Sequence, residues 1–142
     1  MVKLIIGQKG KGKTKYLLES ANKEVKTTDG NVVFVDKNIK QMYELDKHVR
    51  LINVSEFPIA NADGFVGFIC GIVSQDHDLE HIYIDGFLKT AYLEGKESSV
   101  LESVIMKLDK ISEQYSVDIH ISISLEEKDV PDSIKDKIAV SV

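Results

Sequence analysis

Val2-Lys3-Leu4-Ile5-Ile6-Gly7-Gln8-Lys9-Gly10-Lys11-Gly12-Lys13-Thr14 decides how the rest of the chain is read. Val2–Ile6 is a short apolar run, as expected of a strand buried on both faces. It ends at a glycine-rich turn. Beyond the turn Leu17, Leu18, Ala21 and Val25 recur at helical spacing, which predicts an amphipathic helix from Lys13 to about Thr27. Asp29-Gly30 stops that helix. The turn fits G-x-x-x-x-G-K-[ST] at every fixed position of Gly7–Thr14. Glycines let the backbone aim its N–H groups inward, and the helix N-terminus adds about half a positive charge, so the turn is suited to anionic oxygens. Lys13 is expected to reach the outer phosphates of a ligand. A unit charge pair about 4 Å apart gains roughly 4 kcal/mol at an effective dielectric of 20. The Thr14 hydroxyl is a candidate Mg²⁺ ligand. The expected contact set is Gly7, Gln8, Lys9, Gly10, Lys11, Gly12, Lys13, Thr14 and Lys15.

Outward from this turn, apolar runs alternate with helical patterns. Val32–Val35 reads as a buried strand, Asn38–Leu45 as a short helix and Val49–Val54 as a further strand. Ala60–Gln75 reads as a helix containing Gly64, Gly67 and Gly71, and the G-x-x-x-G pair Gly67/Gly71 suggests close packing on a sheet. Ile82–Ile84 is a strand ending at Asp85. Ser99 and Glu102 form a capping box for a helix striped by Leu101, Val104, Ile105, Leu108, Ile111 and Tyr115. Ile119–Ser124 alternates as a strand does, Pro131 breaks the chain, and Ile138–Val142 is a last strand. Such alternation predicts one α/β domain over residues 1–142, with three layers and a mainly parallel sheet of about five or six strands flanked by helices. Ligands of open parallel sheets bind beyond the strand C-termini, where Gly7, Asp36, Asp85 and Ser124 fall.

These motifs resemble P-loop NTPases. Ile82-Tyr83-Ile84-Asp85 matches the family's second element, an apolar strand ending in the acid that faces the metal; Asp85 is then the partner of Thr14 at Mg²⁺. The layout is similar to the RecA-like, additional-strand branch, and the resemblance covers most of the chain. It implies a water-positioning acid after the second strand, for which Asp36 in Val33-Phe34-Val35-Asp36-Lys37-Asn38 is the nearest candidate. It also implies a polar sensor on the strand after the metal acid. Ser122 and Ser124 both lie there, and Ser124 is preferred as nearer the strand end. Gly86 stands where many such ATPases place a glutamate, which predicts slow hydrolysis. The chain also resembles short bacterial proteins labelled twitching-motility ATPases. Secretion and retraction ATPases, however, use further domains and arginine-bearing boxes, and Arg50 is the sole arginine here.

Composition excludes several classes. Net charge is −5 and does not indicate nucleic acid as a partner. One cysteine, Cys70, allows no internal disulfide and suits a reducing, cytoplasmic setting. No apolar stretch approaches the ~20 residues of a membrane span. Neither D-x-x-G nor N-K-x-D occurs, which disfavours GTPases and leaves ATP the default nucleotide. His77 and His81 read as loop residues, His120 as structural, and Cys70 as buried packing. The expected function is Mg²⁺-dependent binding of a nucleoside triphosphate, with Lys13, Asp36 and Ser124 serving a slow ATPase or switch. A nucleotide-binding module without turnover and a small-molecule phosphotransferase are the alternatives. A homo-oligomer or protein partner would supply any group acting in trans.

Overall fold

The computed structural model of the protein describes residues 1–142. Six strands and four helices follow in the order β1 (Val2–Ile6), α1 (Lys13–Thr27), β2 (Asn31–Asp36), β3 (Val49–Asn53), α2 (Ala62–Gln75), β4 (Leu79–Ile84), α3 (Phe87–Thr90), α4 (Ser98–Tyr115), β5 (Asp118–Ile123) and β6 (Ile138–Ser141). The strands form a single sheet in the order β3-β2-β4-β5-β1-β6. Every strand pair is parallel. The expected α/β architecture with a parallel, helix-flanked sheet is therefore present.

The alternation of side chains along each strand divides the core. Val2, Leu4 and Ile6 of β1, Val33 and Val35 of β2, Ile82 and Ile84 of β4, and Ile119, Ile121 and Ile123 of β5 face one side. There they meet Phe65, Ile69 and Val73 of α2, Phe87 of α3, and Leu101, Val104, Ile105 and Leu108 of α4. Ile5, Val32, Phe34 and Tyr83 face the other side, against Leu17, Leu18 and Ala21 of α1. Two apolar faces buried beneath helices explain why the central strands carry near-continuous branched runs. The larger layer has 25 buried residues and the smaller has 9, so α1 is held by less apolar surface than the helices opposite.

Several local expectations change. Asn38–Leu45 is a series of turns, not a helix. Asn38 Oδ1 accepts from Lys40 N at 2.9 Å, and Asn22 of α1 binds both Glu44 O and Asp46 N, so the segment satisfies its polar groups locally and across to α1. Helix α2 starts at Ala62, with Asn61 Oδ1 accepting from Gly64 N at 2.8 Å as its cap. Gly64, Gly67 and Gly71 face solvent, and no atom lies within 4 Å of a Cβ built at Gly67 or Gly71, so the close-packing reading of that pair is overturned. Helix α4 begins at Ser98 without a side-chain cap, so the Ser99–Glu102 box does not form. His81 lies in β4 rather than in a loop, and Cys70 is half-buried.

Candidate functional site

The Gly7–Thr14 loop leaves the C-terminal edge of β1 and feeds straight into α1. Its backbone is set by glycine. Gly7 has φ +153°, and a Cβ there would lie 2.8 Å from the Val142 carbonyl oxygen, so the first residue must lack a side chain. Gly12 has φ 97° and caps α1 in a left-handed conformation, with Tyr16 N donating to Gly12 O at 3.0 Å. Gly7 N is tied to Leu125 O and Lys11 N to Gln8 O. The amides of Gln8, Lys9, Gly10, Gly12, Lys13, Thr14 and Lys15 donate to no protein acceptor. A run of free N–H groups at a helix N-terminus is a concentrated positive potential.

Lys13 is buried at the base of the loop. Its Nζ donates to Gly7 O and Gln8 O, both at 2.9 Å, so the ammonium is held by loop carbonyls. Burial lowers its pKa, and the nearby Asp85 charge opposes that shift. The loop therefore places its one buried cation close to a buried anion.

Asp85 is the hub of the site. It follows β4 and is 7% exposed. One carboxylate oxygen, Oδ2, accepts from Thr14 Oγ1 at 2.9 Å; the other, Oδ1, accepts from Ser122 Oγ at 2.7 Å. Its main chain is fixed as well: Asp85 N donates to Val35 O, and Thr90 Oγ1 donates to Asp85 O at 2.7 Å. Gly86 takes φ 57°, which lets the chain turn into the single-turn helix α3 and brings Gly86 N to Ser122 Oγ at 2.8 Å. One carboxylate is thus oriented by α1, β5 and the turn that follows it.

These groups open onto a cleft of about 410 Å³ lined by Lys9, Gly10, Gly12, Lys13, Thr14, Asp85, Gly86, Leu88, Lys89, Glu94, Ser122 and Ser124. The sequence-derived set divides accordingly. Lys9, Gly10, Gly12, Lys13, Thr14, Asp85 and Ser124 line the cleft. Gly7 lies beneath it as a Lys13 acceptor, Gln8 hydrogen-bonds Glu126, and Lys11 and Lys15 are exposed outside it, Lys15 beside Glu19. Asp36 is not in the wall. It is buried at the end of β2, where Oδ1 accepts from Lys37 N at 2.7 Å, and burial raises its pKa to about 6. Ser124 is exposed at the rim, and Ser122 is the serine that holds Asp85. Thr90, Leu88, Lys89 and Glu94 were not singled out from sequence. They sit on or beside the single helical turn after Gly86, which is too short to leave a periodic pattern.

No protein-family model matches the chain, and no curated protein matches it in sequence.

Proposed function

We propose that the chain binds a nucleoside triphosphate with Mg²⁺ in this cleft, as a P-loop protein of the additional-strand kind. The observation that carries the reading is the convergence of free loop amides, the Lys13 ammonium and the Thr14–Asp85 pair on one hollow. Anionic oxygens would replace the missing acceptors of those amides. The sheet order supports the same branch, because β5 lies between β1, which feeds the loop, and β4, which ends at Asp85.

The donor set fits Mg²⁺. Thr14 and Asp85 offer a hydroxyl and a carboxylate oxygen 2.9 Å apart, both hard ligands. Mg²⁺ is usually held by one or two protein oxygens, with phosphate and water completing its shell. When bound it would neutralise charge on the outer phosphates. The chain's own residues do the rest. The loop amides orient the phosphates, Lys13 carries the balancing charge, and Ser122 fixes the direction of the Asp85 carboxylate.

Turnover is slow in this reading. Gly86, in a left-handed turn, stands directly after Asp85 and offers no carboxylate to polarise water. Asp36, the acid read from sequence for that role, lies outside the cleft wall, and Glu94 is the wall's one carboxylate besides Asp85. The same observation favours a second reading, a nucleotide-operated binding module without turnover.

Thermal shift with Mg²⁺ and a nucleoside triphosphate tests the proposal. Binding raises the melting temperature by an amount that grows with ligand concentration. Lys13→Ala is expected to lose most of that shift, and unchanged affinity in this variant would disprove the assignment. Phosphate release by the wild type, measured over hours, separates slow turnover from none.

A further inference from the structure

The walls of the cleft indicate which part of a ligand is read. Of the twelve residues that line it, only Leu88 is apolar and none is aromatic. Sites that grip a planar ring are lined mainly by apolar and aromatic side chains, with a few polar groups to fix orientation. The hollow that shares Thr14 with the cleft does not supply such a platform. Leu18 is its one apolar residue, among Lys15, Glu19, Asn22, Gln41 and Glu44. Its Asn22 amide is already committed, with Nδ2 donating to Glu44 O and Oδ1 accepting from Asp46 N. Tyr16, the exposed aromatic that follows the loop most closely in sequence, belongs to a separate hollow with Lys23, Glu24 and His120.

We infer that this site, resting on the triphosphate reading above, recognises the polyphosphate chain and does not read the nucleobase. The ligand class is any Mg²⁺-bound triphosphate, whichever base it carries, and inorganic tripolyphosphate belongs to it. The contacts that make the site are backbone amides and one buried lysine, which address oxygens on phosphorus, and a hydroxyl–carboxylate pair, which addresses the Mg²⁺ those oxygens carry. Base stacking on an aromatic ring adds several-fold to a hundred-fold in affinity. The cleft contains no group that would supply that increment.

Isothermal titration with Mg²⁺-loaded ATP, GTP, CTP and tripolyphosphate tests this on the wild type and on Lys13→Ala. The expected result is four dissociation constants within about five-fold of one another, less than the ten-fold step that 1.4 kcal/mol represents. Lys13→Ala is expected to weaken all four together. ATP binding that exceeds GTP or tripolyphosphate by more than ten-fold would overturn the inference while leaving the triphosphate reading intact. Tripolyphosphate binding that survives Lys13→Ala, with ATP binding lost, would place it on other lysines and likewise overturn the inference. Failure of every ligand to bind would remove the triphosphate reading itself, and this inference with it. Thermal melting of Lys13→Ala without ligand establishes that the variant is folded.

Discussion

Lowering the pH from 7 to 5 acts on two buried groups of opposite sign. His120 is 7% exposed in β5. Its ring stacks on Tyr83 at 4.1 Å between centroids, and its Nε2 lies 3.0 Å from His81 Nδ1. Burial, reinforced by the neighbouring His81 charge, pushes its pKa down to about 3. An unfolded histidine titrates near 6.5, so below that pH the unfolded chain binds the extra proton and stability falls. From pH 7 to pH 5 the loss is about 2 kcal/mol. Asp36 works the other way. Burial lifts its carboxyl to about 6, against about 3.9 unfolded. The folded state therefore takes up the proton first, and stability rises by about 1.3 kcal/mol over the same interval. Asp46, held low by the His48 amide, and Asp118, where burial is outweighed by the N-terminal ammonium, act only as pH falls below about 4. The net loss from His120 and Asp36 in the wild type is then only about 0.6 kcal/mol. Urea melts at the two pH values separate the terms. Asp36→Asn removes the compensation, so its loss between pH 7 and 5 grows to about 2 kcal/mol, and His120→Phe, which retains an aromatic ring on Tyr83, gains stability instead. Equal pH responses in all three proteins would refute the reasoning.

Three further outcomes follow from the same structure. Ser122→Ala leaves Gly86 N and one Asp85 oxygen without their partner in a buried setting, and is expected to cost about 1–3 kcal/mol in a denaturant melt. Gly67→Ala and Gly71→Ala face open space in a helix, so each should stabilise the protein by roughly 0.5–1 kcal/mol; destabilisation would restore the close-packing view of α2. Gly12→Ala, with no atom within 4 Å of its Cβ, should cost only the left-handed backbone term of about 1–2 kcal/mol. Gly7→Ala should cost more, because its Cβ also meets Val142, the residue after β6; melts that rank the two variants equally would contradict the contact.

The sheet was legible because its strands are buried on both faces. Val32–Val35 and Ile82–Ile84 are unbroken apolar runs, Ile119–Ile123 repeats isoleucine at every second position, and the helices between them carry their stripes at the right spacing. What failed were short segments governed by single hydrogen bonds. Asn38–Leu45 has the length of a helix, but Asn22, distant in sequence, takes Glu44 O and Asp46 N. Glycines in α2 carry no information about direction, since the same G-x-x-x-G spacing suits a face pressed on a sheet and a face turned to water. The turn at α3 owes its existence to Gly86 in a left-handed conformation and to Thr90 reaching back to Asp85 O, neither of which leaves a period to find.

The site shows the same division at finer grain. Gly7–Thr14 and Asp85 could be found because residue type and spacing define them, and the structure brings Thr14 to within 2.9 Å of Asp85 across 71 positions of sequence. The serine could not. Ser122 and Ser124 stand two positions apart in the alternating stretch Ile119–Ser124, and a slip of two residues preserves every inward and outward assignment, so alternation alone cannot choose between them. The pairing of β4 with β5 makes the choice. Ile84 stands opposite Ile121, which sets Asp85 beside Ser122 and leaves Ser124 beyond it at the rim. Nearness to the strand end selects Ser124, which lines the cleft at its rim, and does not select Ser122, which contacts Asp85. The criterion that works is the step in register from the acid, and that depends on the pairing of strands 34 or more residues apart in the chain.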